Sequence, residues 1–269
     1  MRLPDATHIR TLLGPQGPRL ELLAEVDSTN TWLLERDFGQ TPAQALLVVA
    51  GHQRAGRGRR GRSWFAEPGR SVALSLAFER EGSIPPAPGL SLAVGCAIAQ
   101  ALAPHSDGIA LKWPNDLLRH GRKTGGILIE TRVGRAGPRA ILRAVIGVGL
   151  NLRAPLDAQA LIGQSAGGLF DESEPGLGLE RVIALTALAI DSAWTVHARD
   201  GLAPFVDAWS RFDAWRGREV VLADAGQRIA EGTALGIDTE GALRIATADG
   251  ERSMIAGDVS LRLQPENSP

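Results

Sequence analysis

Ala45-Leu46-Leu47-Val48-Val49-Ala50-Gly51-His52-Gln53-Arg54-Ala55-Gly56-Arg57-Gly58-Arg59-Arg60-Gly61-Arg62-Ser63-Trp64 carries a short apolar strand straight into an arginine- and glycine-rich loop closed by a tryptophan. The loop cannot build a core. It also makes a poor helix, because each glycine raises the entropy cost of ordering the backbone. Guanidinium forks match phosphate and carboxylate oxygens in bidentate geometry, so the run suits a loop that orders around an anionic ligand. On these residues alone, an exposed Arg/Gly linker or an RNA-binding segment of Arg-Gly type remains open.

The rest of the chain narrows these readings. It has 269 residues and a formal net charge of −1, so the arginine loop is a local basic site on a near-neutral body. A general nucleic-acid binder would usually be basic throughout. Apolar content of 44% and charged content of 22% are ordinary for a folded soluble domain. The only cysteine, Cys96, lies in the apolar run Leu92–Ala99, which rules out an internal disulfide and suits an inert buried thiol. The first residues lack the apolar core of a signal peptide, and no apolar run is long enough to span a bilayer. The expected location is the cytoplasm. Of 29 basic residues other than histidine only two are lysines, Lys112 and Lys123, and both fall in one short region.

Residues 1–19, broken by Pro and Gly, read as a loosely structured lead-in. Leu20 to Val26 reads as a strand that runs into Asp27-Ser28-Thr29-Asn30, a cluster of helix-capping residues, and then a helix carrying Trp32, Leu33 and Leu34. Further strands are expected at Ser71–Phe78, Ile109–Trp113, Gly126–Thr131 and Ile141–Val148, with helices at Leu90–Ala103, at Leu179 to about His197, and around Phe205, Trp209 and Phe212. A Gly-rich loop is expected near Gly163–Gly168. After Trp215 the pattern changes to short alternating segments between Gly- and Asp-rich turns, which suits a small all-β barrel. The predicted architecture is α+β: a mixed sheet with helices on one face (residues 1–215), then a small barrel (residues 216–269).

Several residues lie where chemistry could gather, each with an ordinary structural reading beside it. Ser28, Thr29 and Asn30 either cap a helix or aim polar groups into a pocket at its N-terminus. Trp64 is either core or a stacking face for a nucleobase. Asn115 and Asp116 either close a turn after Trp113-Pro114 or place an amide and a carboxylate near a metal–phosphate cluster. Gly125-Gly126 beside Lys123, and Gly147-Val148-Gly149-Leu150-Asn151, permit close backbone approach to a ligand or merely mark strand twist.

Together these motifs resemble the catalytic domain of the biotin protein ligases. The likeness covers Asp27–Asn30, Gln53–Trp64, Lys112-Trp113-Pro114-Asn115-Asp116, Lys123-Thr124-Gly125-Gly126-Ile127-Leu128 and Gly147–Asn151, in order. It extends to Gly241-Ala242-Leu243 and Gly257-Asp258-Val259-Ser260-Leu261-Arg262, which look like that family's C-terminal SH3-like barrel. The resemblance implies a sheet of the class II aminoacyl-tRNA-synthetase and biotin-ligase type. It implies that biotin and ATP form biotinyl-5′-AMP, with Mg²⁺, before biotin passes to a lysine of a biotin carboxyl carrier protein of acetyl-CoA carboxylase or a similar enzyme.

By position, Ser28, Thr29, Asn30, Gln53, Gly56, Arg57, Arg59, Lys123 and Gly126 are then expected to bind biotin. Arg57, Arg59, Arg60, Trp64, Asn115, Lys123 and Asn151 are expected to bind ATP. Lys123, Arg57, Arg59 and Asp116 carry the catalytic expectation, with Mg²⁺ near Asp116 and Asn151. Ser63 departs from the basic residue of some relatives. Fewer than 25 residues precede the first catalytic strand, too few for the winged helix of repressor-type relatives, so DNA is not an expected partner; without a long apolar run, neither is a membrane. An exposed sheet edge suits either a homodimer or carrier docking. The nearest alternative enzymes are lipoate and octanoyl transferases, which share the fold.

Overall fold

A computed structural model describes residues 3–39, 44–156, 166–224, 227–255 and 259–263. A seven-stranded mixed sheet forms the body. Its strands are β1 (Arg19–Val26), β2 (Leu46–Gln53), β3 (Ser71–Glu81), β4 (Ile109–Lys112), β5 (Asp116–Arg119), β6 (Arg122–Ala136) and β7 (Arg139–Asn151), in the spatial order β1-β2-β3-β7-β6-β5-β4. Only the β1–β2 pairing is parallel. Of the helices, α1 (Ala6–Leu13), α3 (Leu90–Leu102), α4 (Leu179–Asp200) and α5 (Val206–Phe212) bury residues in the main core. Alternate strand residues such as Leu47, Val49, Leu74, Leu76, Ile146 and Val148 share that core. The stretch Leu90–Leu102 is apolar on almost every side, so the helix is nearly engulfed between the sheet, α4 and α5.

The opposite face has a different cover. Leu46, Val48, Ala77 and Val145, each offset by one from the main-core positions, pack with Leu33 of α2 (Thr29–Glu35). The expectation of helices on one face therefore holds for four of the described helices, while α2 lies on the other. It is short, and leaves much of its face to the arginine loop. Arg143 pins its end: the buried guanidinium bonds Glu79 and donates to the carbonyls of Leu33 (2.9 Å), Arg36 (2.6 Å) and Asp37 (2.8 Å). These are orphan acceptors of a helix C-terminus, satisfied here by a side chain 110 residues away.

Three expectations need correcting. Residues 1–19 are not merely a lead-in: Asp5 caps α1, accepting from Thr7 N (2.8 Å) and His8 N (3.1 Å), and Ile9 and Leu13 enter the core. One i,i+4 apolar pair between breakers gives too weak a period to recognise in sequence. Asp116 does not sit in a turn; it opens β5, facing Lys112 across a tight hairpin around Trp113-Pro114-Asn115. Likewise β6 begins at Arg122, so Lys123 stands on a strand.

The C-terminal strands β8 (Glu219–Asp224), β9 (Gln227–Ile237), β10 (Leu243–Thr247), β11 (Gly250–Met254) and β12 (Val259–Leu263) form an antiparallel sheet ordered β11-β10-β9-β8-β12. Among the described residues β11 and β12 do not pair, so a five-stranded sheet is seen where a closed barrel was expected. Gly163 to Ser165 of the expected Gly-rich loop, and Gly257-Asp258, lie outside the described residues. The two sheets meet directly: Trp113 Nε1 donates to Gly241 O (3.1 Å), and Gly241 packs against Leu92 and Leu202.

Candidate active site

The sheet register builds the floor of the site. Ala50 pairs with Ala73, Ala73 with Gly149, Gly149 with Gly126, Gly126 with Asp116 and Asp116 with Lys112. Four residues with little or no side chain thus lie in one row on the α2 face, and the row ends in a carboxylate and an ammonium group. Where a sheet face carries no side chains, a ligand can lie against the backbone. The adjacent row, Val48–Ser75–Gly147–Leu128, continues the shallow surface.

At one end stands a polar cluster at the N-terminus of α2. Ser28 caps the helix (Thr31 N to Ser28 Oγ, 3.4 Å). Thr29 donates from its amide (2.8 Å) and hydroxyl (3.0 Å) to Gln53 Oε1 at the end of β2. The Asn30 amide donates to Leu128 O (3.2 Å) and Glu130 Oε2 (2.9 Å), and its oxygen accepts from Ser75 Oγ (2.6 Å), which also lies 2.7 Å from Thr29 Oγ1. Ser28, Thr29, Asn30 and Ser75 are all buried, so the helix cap is one part of a larger buried polar cluster.

Gly147 makes room for this cluster, since a Cβ there would lie 2.1 Å from Asn30 Oδ1. Gly147→Ala should therefore displace Asn30 and cost about 1–3 kcal/mol. Thermal denaturation checks this, and an unchanged midpoint contradicts it.

At the other end, Asp116 is gripped by both lysines of the chain. Lys123 Nζ lies 2.6 Å from Asp116 Oδ1, and Lys112 Nζ 3.9 Å from Oδ2. Lys112 also sits 4.6 Å from the centre of the Trp215 ring. Burial pushes the Lys112 ammonium below its ordinary range, against the pull of Asp116, with Lys123, Arg62 and Arg262 adding to the lowering. Two lysines around one carboxylate, with Arg62 and Arg262 close by, leave an excess of positive charge beside the Gly126–Gly149 floor. Lys123 Nζ lies 3.7 Å from where a Gly126 Cβ would stand, so the ammonium overlooks the floor. Its backbone is held from the side: Gly167 N donates to Lys123 O (2.8 Å), and Asn151 Nδ2 donates to Gly167 O (3.2 Å).

The arginine loop spans the two ends. It folds as a short hairpin, with Trp64 N donating to Gly56 O (2.8 Å) and Gly58 N to Arg62 O (2.7 Å). A Cβ on Gly56 would meet Trp64 O at 2.3 Å, so this crossing requires glycine. Arg57 donates to Thr31 Oγ1 (3.1 Å) and Glu130 Oε1 (2.6 Å), and Arg59 to Asn115 Oδ1 (3.3 Å). Arg60 is exposed in the left-handed region (φ 60°). The Trp64 indole rests over Gly149, where a Cβ would come within 2.2 Å of the ring.

Every predicted site residue except Asn151 thus lines the floor, the α2 cluster or the loop. Asn151 is buried on the same face, one residue pair beyond Ala73–Gly149, and tied to Ser71 Oγ (3.1 Å) and Gly167 O. Sequence reasoning missed Ser75 and Glu130. Ser75 is a hydroxyl inside the apolar run from Val72 to Phe78. Glu130 continues the Gly126–Leu128 face at period two, so a charge appears where burial is expected. Those were the available signals.

Among the described residues no group of three His, Cys, Asp or Glu side chains could hold a metal ion, and both Asp116 oxygens face ammonium groups. A separate cavity of about 280 Å³ is lined by residues including Ser106, Asp107, Phe170 and Glu174 and shares none with this site. Its Arg119 is occupied by Asp107, Asp171 and Glu174. No described helix is long and apolar enough to cross a membrane.

Known proteins resemble this chain along most of its length. Residues 22–151 match the biotin/lipoate A/B protein ligase family, and residues 217–262 match the biotin protein ligase C-terminal domain. The bifunctional ligase/repressor BirA of Escherichia coli is 34% identical over 94% of this chain and 77% of that protein. The biotin–[acetyl-CoA-carboxylase] ligase of Paracoccus denitrificans is 32% identical over 88% of this chain and 98% of its own length. Among solved structures, the biotin protein ligase of Aquifex aeolicus in complex with biotin and ATP superposes with a TM-score of 0.73. It is 25% identical, over 91% of this chain and 99% of that one.

Proposed function

The chain belongs to the biotin protein ligases, and from that premise we propose how its own residues perform the reaction. It is an ATP-dependent ligase that forms biotinyl-5′-AMP from biotin and ATP, then transfers biotin to a lysine of a carrier protein. In the first step a biotin carboxylate oxygen bonds to the α-phosphorus of ATP and the bond to pyrophosphate breaks. Two anions must meet, so charge neutralisation is the central requirement.

Lys123, overlooking the small-residue floor, supplies an ammonium where the carboxylate and α-phosphate come together. Arg57 and Arg59 bring guanidinium groups over the same floor from the loop. The Ser28, Thr29, Asn30 and Gln53 cluster takes the polar ureido end of biotin, and Gly126 and Gly149 let the ligand lie on the backbone. Gly56 permits the loop crossing that carries Trp64 against the floor, as a wall for the adenine. Asn115 fixes Arg59, while Arg60 extends the basic rim toward the phosphates. Asn151 acts from beyond the end of the floor, through Gly167 and the Lys123 backbone. A loop closed over the adenylate shields the reactive anhydride from water.

Magnesium enters with ATP, as the MgATP substrate. One carboxylate already held by two lysines is a weak protein ligand, and Mg²⁺ in such sites leans on phosphate oxygens and water. In the second step the carrier lysine attacks the biotinyl carbonyl, the bond from that carbon to the phosphate oxygen breaks, AMP leaves and the amine gives up a proton; Asp116 orients or deprotonates that lysine. The carrier we propose is the biotin carboxyl carrier protein of acetyl-CoA carboxylase. Support for it is the name of the Paracoccus relative.

The single observation that carries this reading is the Lys123–Asp116 pair at the edge of a side-chain-free floor beneath an arginine loop. Exchange of labelled pyrophosphate into ATP tests it without any carrier. Exchange should require biotin, and exchange driven by lipoate in its place would assign the chain to the other branch of the matched family.

A further inference from the structure

Glu130 uses both carboxylate oxygens, one on each side of the site. Oε2 accepts from the Asn30 amide (2.9 Å) and Oε1 from Arg57 (2.6 Å). Asn30 has no slack. Its oxygen is held by Ser75, its nitrogen also bonds Leu128 O, and Gly147 lies beneath it. Arg57 has a second tie, to Thr31 Oγ1 on the first turn of α2. The buried polar pocket is thereby connected to the arginine loop through one charged side chain on β6, about half exposed at the arginine and one-fifth exposed at the glutamate. A charge-assisted hydrogen bond of this length is stronger than a neutral one, and its geometry depends on where Asn30 stands.

We propose that Glu130 is a positioning residue that latches the arginine loop closed by reading the state of the Asn30 pocket. A ligand seated against Asn30 and its neighbours adds its contacts to the same network and keeps the Glu130 carboxylate in place, which holds Arg57 and with it the hairpin from Gly56 to Trp64. Binding at the polar end of the site and closure over the phosphate end are linked through this side chain, and linkage makes the effect reciprocal. The inference rests on the reading of the site as a biotin-adenylating centre.

The test uses the full chain and two readouts: biotin-dependent pyrophosphate exchange, and trypsin cleavage within the arginine loop with and without biotin. Glu130→Gln keeps the shape and the acceptor for Asn30 but removes the charge that holds Arg57. It is expected to raise the KM for biotin roughly 10-fold, the scale of one charge-assisted bond, and to abolish the protection of the loop by biotin. Arg57→Ala combined with Glu130→Gln should lose no more protection than Arg57→Ala alone, because the carboxylate acts through the arginine. Thr31→Val, which leaves Glu130 untouched, provides an independent probe and should weaken protection in the same direction by a smaller factor.

Wild-type KM and protection in Glu130→Gln would overturn the latch while leaving the ligase reading intact. So would additive effects in the double variant. Absence of biotin-dependent exchange in the wild-type chain would overturn both.

Discussion

Lys123→Ala is expected to lower biotin-dependent pyrophosphate exchange by about 10²–10³-fold, the scale of removing one preorganised charge from a reacting centre. The size follows from position. Lys123 Nζ stands 2.6 Å from Asp116 and overlooks the Gly126 backbone, where biotin carboxylate and α-phosphate must approach. Without it, Asp116 keeps only the longer contact to Lys112 at 3.9 Å, so a negative charge is left facing two anionic substrates. The loss should fall mainly on kcat, because Asn30, Thr29 and Gln53 still hold the far end of the ligand. Steady-state exchange at varied biotin separates the two parameters. A Lys123→Ala chain within threefold of wild type would remove this residue from the chemistry.

Arg143→Met should produce the largest loss of stability. The side chain is fully buried, neutralises Glu79 and satisfies three carbonyls at the end of α2. Truncation leaves a buried carboxylate and orphan acceptors, a change worth about 3–5 kcal/mol. For a chain of this size the melting temperature should fall by on the order of 10 °C. Function should suffer with it, because the opposite end of the same short helix carries Ser28, Thr29 and Asn30. A midpoint within 2–3 °C of wild type, which corresponds to only ~1 kcal/mol, would contradict this account.

Local sequence revealed what local physics determines. The strand Leu46–Gln53 and the loop after it could be read because apolar run and Arg/Gly run adjoin. The α2 N-terminus could be read because capping residues cluster there. The helices from Leu90 and Leu179 could be read from their length, the first as an apolar run directly after the breakers Pro85-Pro86-Ala87-Pro88-Gly89. Other features depend on partners distant in sequence. Asn30 meets Glu130 across 100 residues and Ser75 across 45, and no window of sequence contains both ends of either contact. The alternation of the Gly126–Leu128–Glu130 face shows that Glu130 is misplaced for a core, but only the register of β6 against β7 shows what it serves. For Asp116 the sequence left a turn and a site role both open, because Pro114-Asn115 is a turn signal. That the turn is three residues long, bringing Asp116 opposite Lys112, appears only in the hairpin. Residues of α1 gave too few apolar positions to outweigh the breakers around them.

The most direct test of the central claim is the intact mass of an apo biotin carboxyl carrier domain after incubation with the pure chain, biotin and MgATP. The account predicts addition of one biotinyl group at a single lysine, dependent on ATP and nearly lost in Lys123→Ala. A carrier that stays unmodified by biotin but gains a lipoyl group from lipoate, or gains nothing, would contradict it.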